Sequence, residues 1–167
     1  IKKIDDFVNN INRPNRLTMN EVSESEGVPY LSPKETFSFP FQPKKYVIGF
    51  PDDLEVKDKQ LLITCSGSVG RCLIANKFLK NFVISSDMIK ISAPEKYLGY
   101  IYAYLSCSFG QTLISKEQYG STVKHVNPEH IKNIPIPDIS NIIDKVNSKI
   151  LESQYIREEA YFLLSKA

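Results

Sequence analysis

The feature that most constrains the fold is an interrupted apolar run at residues 61–75, LLITCSGSVGRCLIA. Its two halves are rich in the apolar and β-branched residues typical of buried strands, and Gly67 and Gly70 break the run between them. Glycine allows backbone angles that other residues rarely adopt, so the break predicts a tight turn. We therefore expect a β-hairpin with two apolar strands and a polar tip.

The tip of this hairpin carries groups that suit an anionic ligand. Ser66 and Ser68 supply hydroxyls, and Arg71 supplies a guanidinium suited to a phosphate or a base edge. Serine and glycine are also ordinary turn residues, so the tip alone does not separate a binding loop from a simple turn. A nucleotide-binding P-loop is excluded, because only two residues separate the glycines and Cys72 follows Arg71.

Length and composition limit the class of protein. The 167 residues suffice for a domain with a buried core, and 42% hydrophobic with 24% charged residues is typical of globular proteins. A net charge of +2 means that any nucleic-acid surface must come from local clustering of basic residues. The three cysteines lie in apolar runs, which predicts buried thiols in a reducing cytoplasm. There is no Cys-x-x-Cys pair and no apolar run of the roughly 20 residues that span a membrane, so we expect no metal, no cofactor and no membrane association.

The first half of the chain predicts several short elements. Residues 1–11 place apolar side chains at helical spacing, which favours a short helix or turn. Residues 9–20 form a basic, amide-rich loop that suits either a nucleic-acid contact or a solvated connector. Residues 28–31 predict a short edge strand and 46–50 a second strand. Between them, 33–43 is predicted to be irregular, with three phenylalanines better explained by packing on the core than by stacking on bases.

The second half is predicted to be mostly helical. A 3.6-residue apolar period at 94–107 predicts a helix with a buried aromatic face, continuing through 109–114. Asn127, followed by proline and an acid, is a typical helix start, and the alternate prolines of 133–137 favour an extended strand. From 140 to about 166 we expect one helix, roughly 40 Å long at 1.5 Å per residue. This helix carries an apolar stripe, which consists of Ile143, Val146, Ile150, Ala160 and Leu164. The stripe is expected to pack either against a partner helix or against the chain's own domain.

Several short motifs follow one another in a specific order and spacing. They are LITCSGSVGR at 62–71, SSDMIKI at 85–91, YL at 97–98 with YLS at 104–106, GQ at 110–111, YGS at 119–121 with HVNPE at 125–129, and NIPIP at 133–137. Together they resemble the DNA specificity subunit of type I restriction-modification systems. The resemblance covers about two thirds of the chain, but in the first 45 residues it extends only to VPYLS at 28–32.

The resemblance implies an α+β fold. Residues 1–138 would form a DNA target recognition domain, a small mixed β-sheet with flanking helices, and residues 139–167 a long coiled-coil-type spacer or dimerisation helix. This corresponds to half of a complete subunit, and a chain that begins with Ile1 is expected to be an excised piece or a trimmed one. The other half would be elsewhere in a longer chain or supplied by a second copy.

The function that the resemblance implies is recognition of double-stranded DNA without catalysis, in the cytoplasm. Methylation and cleavage would belong to partner methyltransferase and restriction subunits. Two contact loops are implied, and their residues are Ser66, Ser68, Arg71, Ser121, Thr122, Lys124 and His125. Arg71 equally suits a surface ion pair, and His125 a structural role.

Two other function classes remain open from the sequence. One is the recognition domain of a fused type II restriction-methylation enzyme, although the Asn/Asp-Pro-Pro-aromatic motif of amino-methyltransferases does not occur here. A nuclease metal site at Asp52, Glu55 and Lys57 is excluded, because two intervening residues cannot place these side chains on neighbouring strands. The other class is a protein-interaction module built on the C-terminal helix, with no role in DNA binding.

Overall fold

Three small β-sheets and five α-helices make up the α+β fold of this computed structural model, which describes residues 1–16 and 19–166. The strands are β1 (Lys2–Lys3), β2 (Asn10–Asn12), β3 (Asn20–Val22), β4 (Val28–Leu31), β5 (Lys45–Ile48), β6 (Leu61–Thr64), β7 (Cys72–Ile74), β8 (Val83–Ile84), β9 (Met88–Ser92) and β10 (Pro135–Ile136). The helices are α1 (Pro33–Thr36), α2 (Glu95–Ser106), α3 (Ser108–Lys116), α4 (Pro128–Lys132) and α5 (Ser140–Leu164).

The predicted hairpin is confirmed and forms half of the central sheet. Strands β6 and β7 pair antiparallel, and the order of the sheet is β2-β9-β6-β7. Along β6, Leu61 and Ile63 lie in the main core, whereas Leu62 faces a second apolar cluster. Successive side chains of a strand point to opposite faces, so both faces of this strand are covered. This is why the run at 61–64 is continuously apolar instead of alternating.

The second four-stranded sheet corrects one prediction. Its order is β3-β5-β4-β8, so β4 is an interior strand and not the edge strand that the sequence predicted. Tyr30 and Leu31 pair parallel with Val83 and Ile84 of β8. A parallel partner 53 residues away leaves no signal in the local pattern of 28–31.

For residues 1–11 the sequence left a short helix or a turn open, and the structure has a turn. Residues 4–7 form a single 3-10 turn between β1 and β2. Ile4, Phe7 and Ile11 are nevertheless buried in the main core. The apolar spacing thus marked the buried side chains correctly, while pairing of β1 with β10 and of β2 with β9 determined the backbone.

The helix predicted at 94–114 is divided at Cys107. This residue has an extended backbone (φ −74°, ψ 163°), so α2 and α3 are separate helices that meet at a corner. Gly110 lies at the inside of the corner, where an added Cβ would come within 2.0 Å of the Tyr104 carbonyl oxygen. The corner therefore requires glycine at this position.

The segment at 33–43 is more ordered than predicted. Residues 33–36 form α1, capped by a hydrogen bond from the Ser32 amide to the Glu35 carboxylate (2.9 Å). Phe37 and Phe41 pack on the second apolar cluster, which confirms the expectation that they pin the segment to the core. Phe39 is exposed but packs edge-on against Tyr161, with ring centroids 4.4 Å apart.

The helix predicted from residue 140 is present as α5, which has 25 residues and packs on its own domain, whereas its coiled-coil character stays a prediction. Ile143 is buried against α2, and the buried Asn147 side chain accepts a hydrogen bond from the Gly99 amide (2.7 Å) and donates one to the Glu95 carbonyl (3.1 Å). At the other end, Tyr161 is buried among aromatic rings. Of the predicted stripe, Leu164 is exposed. The inner face of α5 is thus covered by the domain itself.

Lys90 is a buried cation in the centre of β9, only 3% exposed. Its ammonium donates hydrogen bonds to the carbonyl oxygens of Asp53 and Glu55. Burial lowers the pKa of Lys90 from its ordinary value of 10.5 to about 8. Since a neutral amine still has two donors for these carbonyls, the folded state tolerates loss of the proton.

We expect this residue to make stability rise with pH between about 8 and 10.5. In that window the unfolded chain keeps the proton that the folded chain loses, so the unfolded state binds more protons and raising the pH favours folding. The measurement is the difference in free energy of unfolding between wild type and Lys90→Met at pH 7.5, 8.5 and 9.5. Lys80→Met, in an exposed turn, controls for the change in net charge. A difference that stays constant with pH would contradict the prediction.

Candidate functional site

The two polar loops singled out in the sequence meet in the structure. Ser66 and His125 form an antiparallel bridge, and the Val126 amide donates to the Cys65 carbonyl at 3.0 Å. His125 also exchanges two backbone hydrogen bonds with Tyr119, at 2.9 and 3.0 Å. Loop A (residues 65–71) and loop B (residues 119–125) are therefore one continuous surface at one end of the central sheet.

Loop A is held in shape by its own backbone and by Thr64. Gly67 and Gly70 have positive φ angles of 67° and 92°, as the sequence led us to expect. The buried Thr64 hydroxyl donates to the Ser68 carbonyl and accepts from the Arg71 amide at 2.9 Å. This arrangement leaves Ser68 and Arg71 exposed on a fixed turn.

Gln111 braces loop A from behind. Its side-chain amide donates to the Gly70 carbonyl at 2.8 Å and to the Leu105 carbonyl at 2.6 Å, so it ties the turn to the end of α2. A Cβ on Gly70 would come within 2.9 Å of this side chain. Thr64 and Gln111 both lie within the ordered motifs, but no local pattern in the sequence indicates these contacts.

The guanidinium of Arg71 lies over an aromatic ring. Its guanidinium carbon lies 4.2 Å from the centroid of the Phe37 ring, a cation–π geometry. Within residues 1–16 and 19–166, no carboxylate lies within ion-pair distance of Arg71. Among the described residues, Arg71 therefore forms no surface ion pair, which was one of the two roles that the sequence left open for it.

Loop B presents three polar side chains to solvent and keeps its histidine partly covered. Ser121, Thr122 and Lys124 are exposed, whereas His125 is half-buried. The Tyr119 ring lies 5.8 Å from that of His125 and 5.7 Å from that of His130, between centroids. Behind the loop, Asn127 caps α4 as predicted, with its side chain accepting from the His130 amide at 3.1 Å.

A third segment reaches the same end of the sheet. Arg13 donates to the Ser86 carbonyl at 2.7 Å and pairs with Asp87 at 3.3 Å. The turn that these two residues occupy is joined to loop A, because the Cys65 amide donates to the Asp87 carbonyl at 2.8 Å. Arg16 is exposed beside it. The basic loop is thus next to loop A, although its residues 17 and 18 lie outside the described part of the chain.

The cysteines around loop A are not reactive nucleophiles. Burial raises the pKa of Cys65 to about 11 and that of Cys72 to about 12, so both thiols are protonated near neutral pH. Among the described residues, no group of three or more His, Cys, Asp or Glu side chains is placed to hold a metal ion. In residues 1–16 and 19–166, no helix has the length and apolar character needed to cross a membrane.

Comparison with known proteins gives one family and several solved structures. The model of the type I restriction modification DNA specificity domain matches residues 1–159. Among solved structures, the type I restriction-modification S subunit from M. genitalium has a TM-score of 0.66 at 16% identity, and the HsdS subunit from Thermoanaerobacter tengcongensis 0.62 at 14%. These alignments cover 98% and 96% of this chain but only 40% and 39% of those chains. No curated protein matches.

Proposed function

Since this chain belongs to the family of type I restriction modification DNA specificity domains, we propose that it recognises a short double-stranded DNA sequence without catalysing a reaction. Residues 1–138 are the target recognition domain, and 139–167 are the spacer region, in which helix α5 spans Ser140–Leu164. Methyltransferase and restriction subunits are the partners that act on the DNA, and the complex works in the cytoplasm. The chain spans about two fifths of the solved subunits that it resembles, so it supplies one half of the recognition unit.

The observation that carries this proposal is the bridge between Ser66 and His125. It joins two loops whose exposed polar side chains are hydroxyls and cations, which are the donors that contact phosphates and base edges, and beside them loop B exposes the apolar Val123. The contact residues are Ser66, Ser68, Arg71, Ser121, Thr122, Lys124 and His125. Hydrogen-bonding side chains of these kinds suit the major groove, where each base pair shows a distinct pattern of donors and acceptors.

The rigidity of the loops supports recognition of a defined sequence. Thr64 and Gln111 hold loop A through hydrogen bonds to Ser68, Gly70 and Arg71. Loop B is anchored through His125 to both loop A and Tyr119. Groups held in place before binding lose little conformational entropy on contact with DNA, which favours discrimination between sequences.

The C-terminal helix supports pairing with a second recognition half or a second copy. Its inner face is covered by α2, yet Tyr155 and Leu163 on its outer surface are 64% and 67% exposed. Ile156 and Leu163 are seven residues apart, which is the spacing of a coiled-coil seam. A paired helix of fixed length would set the gap between two half-sites.

The experiment that tests the proposed function is selection of binding sites from a random duplex pool at fixed salt. It is run with the protein alone and with a methyltransferase subunit of a type I system. Enrichment of a short motif, or of its doubled and gapped form, is the expected result. Enrichment of no motif in either condition would overturn the proposal and favour a protein-interaction module.

Arg71→Ala and Lys124→Ala are each expected to weaken binding to the selected duplex about tenfold, with little change in melting temperature. Both side chains are exposed cations, so their removal takes away contacts without opening the core. Affinity is measured by fluorescence anisotropy at moderate salt. Lys145→Ala, which removes the same charge from α5, is the matched control. Unaltered affinity in both loop variants would contradict the assignment of these loops.

A further inference from the structure

A groove that contains two cations and several hydroxyls separates α1 from loop A. It has a volume of about 430 Å³, and its polar groups come from Lys34 and Arg71 and from the hydroxyl residues Ser32, Thr64, Ser66 and Ser68. None of its lining residues is acidic. A groove with two cations, several hydroxyls and no carboxylate is an electrostatic site for a single anion.

Arg71 is fixed at one wall of this groove by Phe37. The ring lies 4.2 Å from the guanidinium carbon, and Phe37 is itself held by packing on the second apolar cluster. This cation–π contact does not use the guanidinium N–H groups as hydrogen-bond donors to an oxygen, so they stay available for a ligand. Stacking also restricts a side chain that otherwise loses considerable rotamer entropy when it binds.

Lys34 stands on the opposite element, α1, whose position is set by the chain around it. The Ser32 and Glu35 pair caps this turn at its start, and the Glu35 carboxylate accepts the Ser32 amide at 2.9 Å. Strand β4, which leads into α1, is held between β5 and β8. Lys34 is exposed and presents its ammonium from a supported position.

We propose that this groove binds one phosphodiester of the DNA backbone between Lys34 and Arg71, with the Ser66 and Ser68 hydroxyls as further donors. Phe37 is a positioning residue that acts through Arg71. The inference rests on the proposed function and extends it, because it adds Lys34 and Phe37 to the interface and assigns Arg71 to the backbone instead of a base. Phosphate contacts set the register of a protein on DNA and carry no sequence information directly.

The first test compares Lys34→Ala with Lys44→Ala on the selected duplex and on a scrambled duplex. Lys44 is an exposed lysine ten residues along the chain that does not line the groove. We expect Lys34→Ala to weaken binding about three- to tenfold on both duplexes and to make the plot of log affinity against log salt shallower by about one. Lys44→Ala should match wild type in affinity and slope.

The second test separates positioning from packing at Phe37. Phe37→Leu keeps an apolar side chain on the core but removes the aromatic face, and its effect is measured with and without Arg71→Ala. If Phe37 acts through Arg71, the double variant binds DNA no more weakly than Arg71→Ala alone. Additive losses would overturn the positioning role.

Four outcomes are distinguished. A loss of affinity of Lys34→Ala on both duplexes, with a shallower salt dependence, supports the phosphodiester site. If the wild-type protein enriches a motif but Lys34→Ala has wild-type affinity and salt dependence, the groove does not bind a phosphodiester, and the proposed function still stands. A loss of affinity confined to the selected duplex would also overturn the phosphodiester site, because it marks Lys34 as a base contact. Failure of the wild-type protein to enrich any motif would contradict the proposed function itself.

Discussion

Gly110→Ala is expected to lower the free energy of unfolding by about 3 kcal/mol or more, because among the glycines an added Cβ makes its shortest contact here. The new Cβ would lie 2.0 Å from the Tyr104 carbonyl oxygen and 3.0 Å from the Leu105 Cα. Both are backbone atoms, so the strain cannot be relieved by rotating a side chain. Only separation of α2 from α3 at their corner removes the clash.

This change should also reach the candidate interface. Gln111 is the next residue, and its side chain joins the Leu105 and Gly70 carbonyls. Moving α3 lengthens these hydrogen bonds and loosens loop A, so we expect weaker DNA binding even at temperatures where the variant stays folded. Stability is measured by urea unfolding. Thr112→Ala, an exposed substitution on the same helix, is the control and should cost less than about 1 kcal/mol. A Gly110→Ala protein as stable as this control would show that the corner is not constrained.

Asn147→Ala is expected to cost about 2–3 kcal/mol, because it breaks the polar link between the C-terminal helix and the domain. The Asn147 side chain is buried and bonds the Gly99 amide and the Glu95 carbonyl at 2.7 and 3.1 Å. Its removal leaves a buried donor without its partner and opens a small gap beside Gly99. The close contact between α2 and α5 requires glycine at position 99, since a Cβ there would lie 2.8 Å from the backbone carbonyl oxygen of Asn147.

The measurements for Asn147 are urea unfolding and limited proteolysis of α5. Ser148→Ala alters the neighbouring, exposed residue and is the matched control. We expect faster cleavage within α5 in Asn147→Ala only, because loss of the link allows the helix to leave α2. Equal cleavage rates in the two variants would mean that apolar packing alone docks the helix.

Local signals in the sequence predicted the elements whose structure depends on their own residues. The hairpin at 61–74 followed from two apolar runs and two glycines that indeed have positive φ. The start of α4 followed from Asn127 and Pro128, and helix α5 from apolar residues spaced three and four positions apart. In each case the dominant interactions lie within a few residues, where sequence patterns report them directly.

Predictions failed where the backbone is determined by distant partners. The interior position of β4 depends on Val83 and Ile84, and the strands around the first 3-10 turn depend on β9 and β10. The division at Cys107 depends on how α3 packs back onto α2. Apolar spacing identified the buried side chains in these segments but did not specify their partners.

In the candidate site, too, local sequence determines some features and distant contacts determine others. The sequence alone determined the chemistry of the two loops, namely their hydroxyls, Arg71, Lys124 and His125, and through its ordered motifs the family. Only the tertiary structure decided that Ser66 bridges to His125, that Phe37 supports Arg71 and that Gln111 braces the turn. Side-chain chemistry is a property of each residue, whereas contacts between residues 34 to 59 positions apart exist only after the sheets have paired and the core has closed around them.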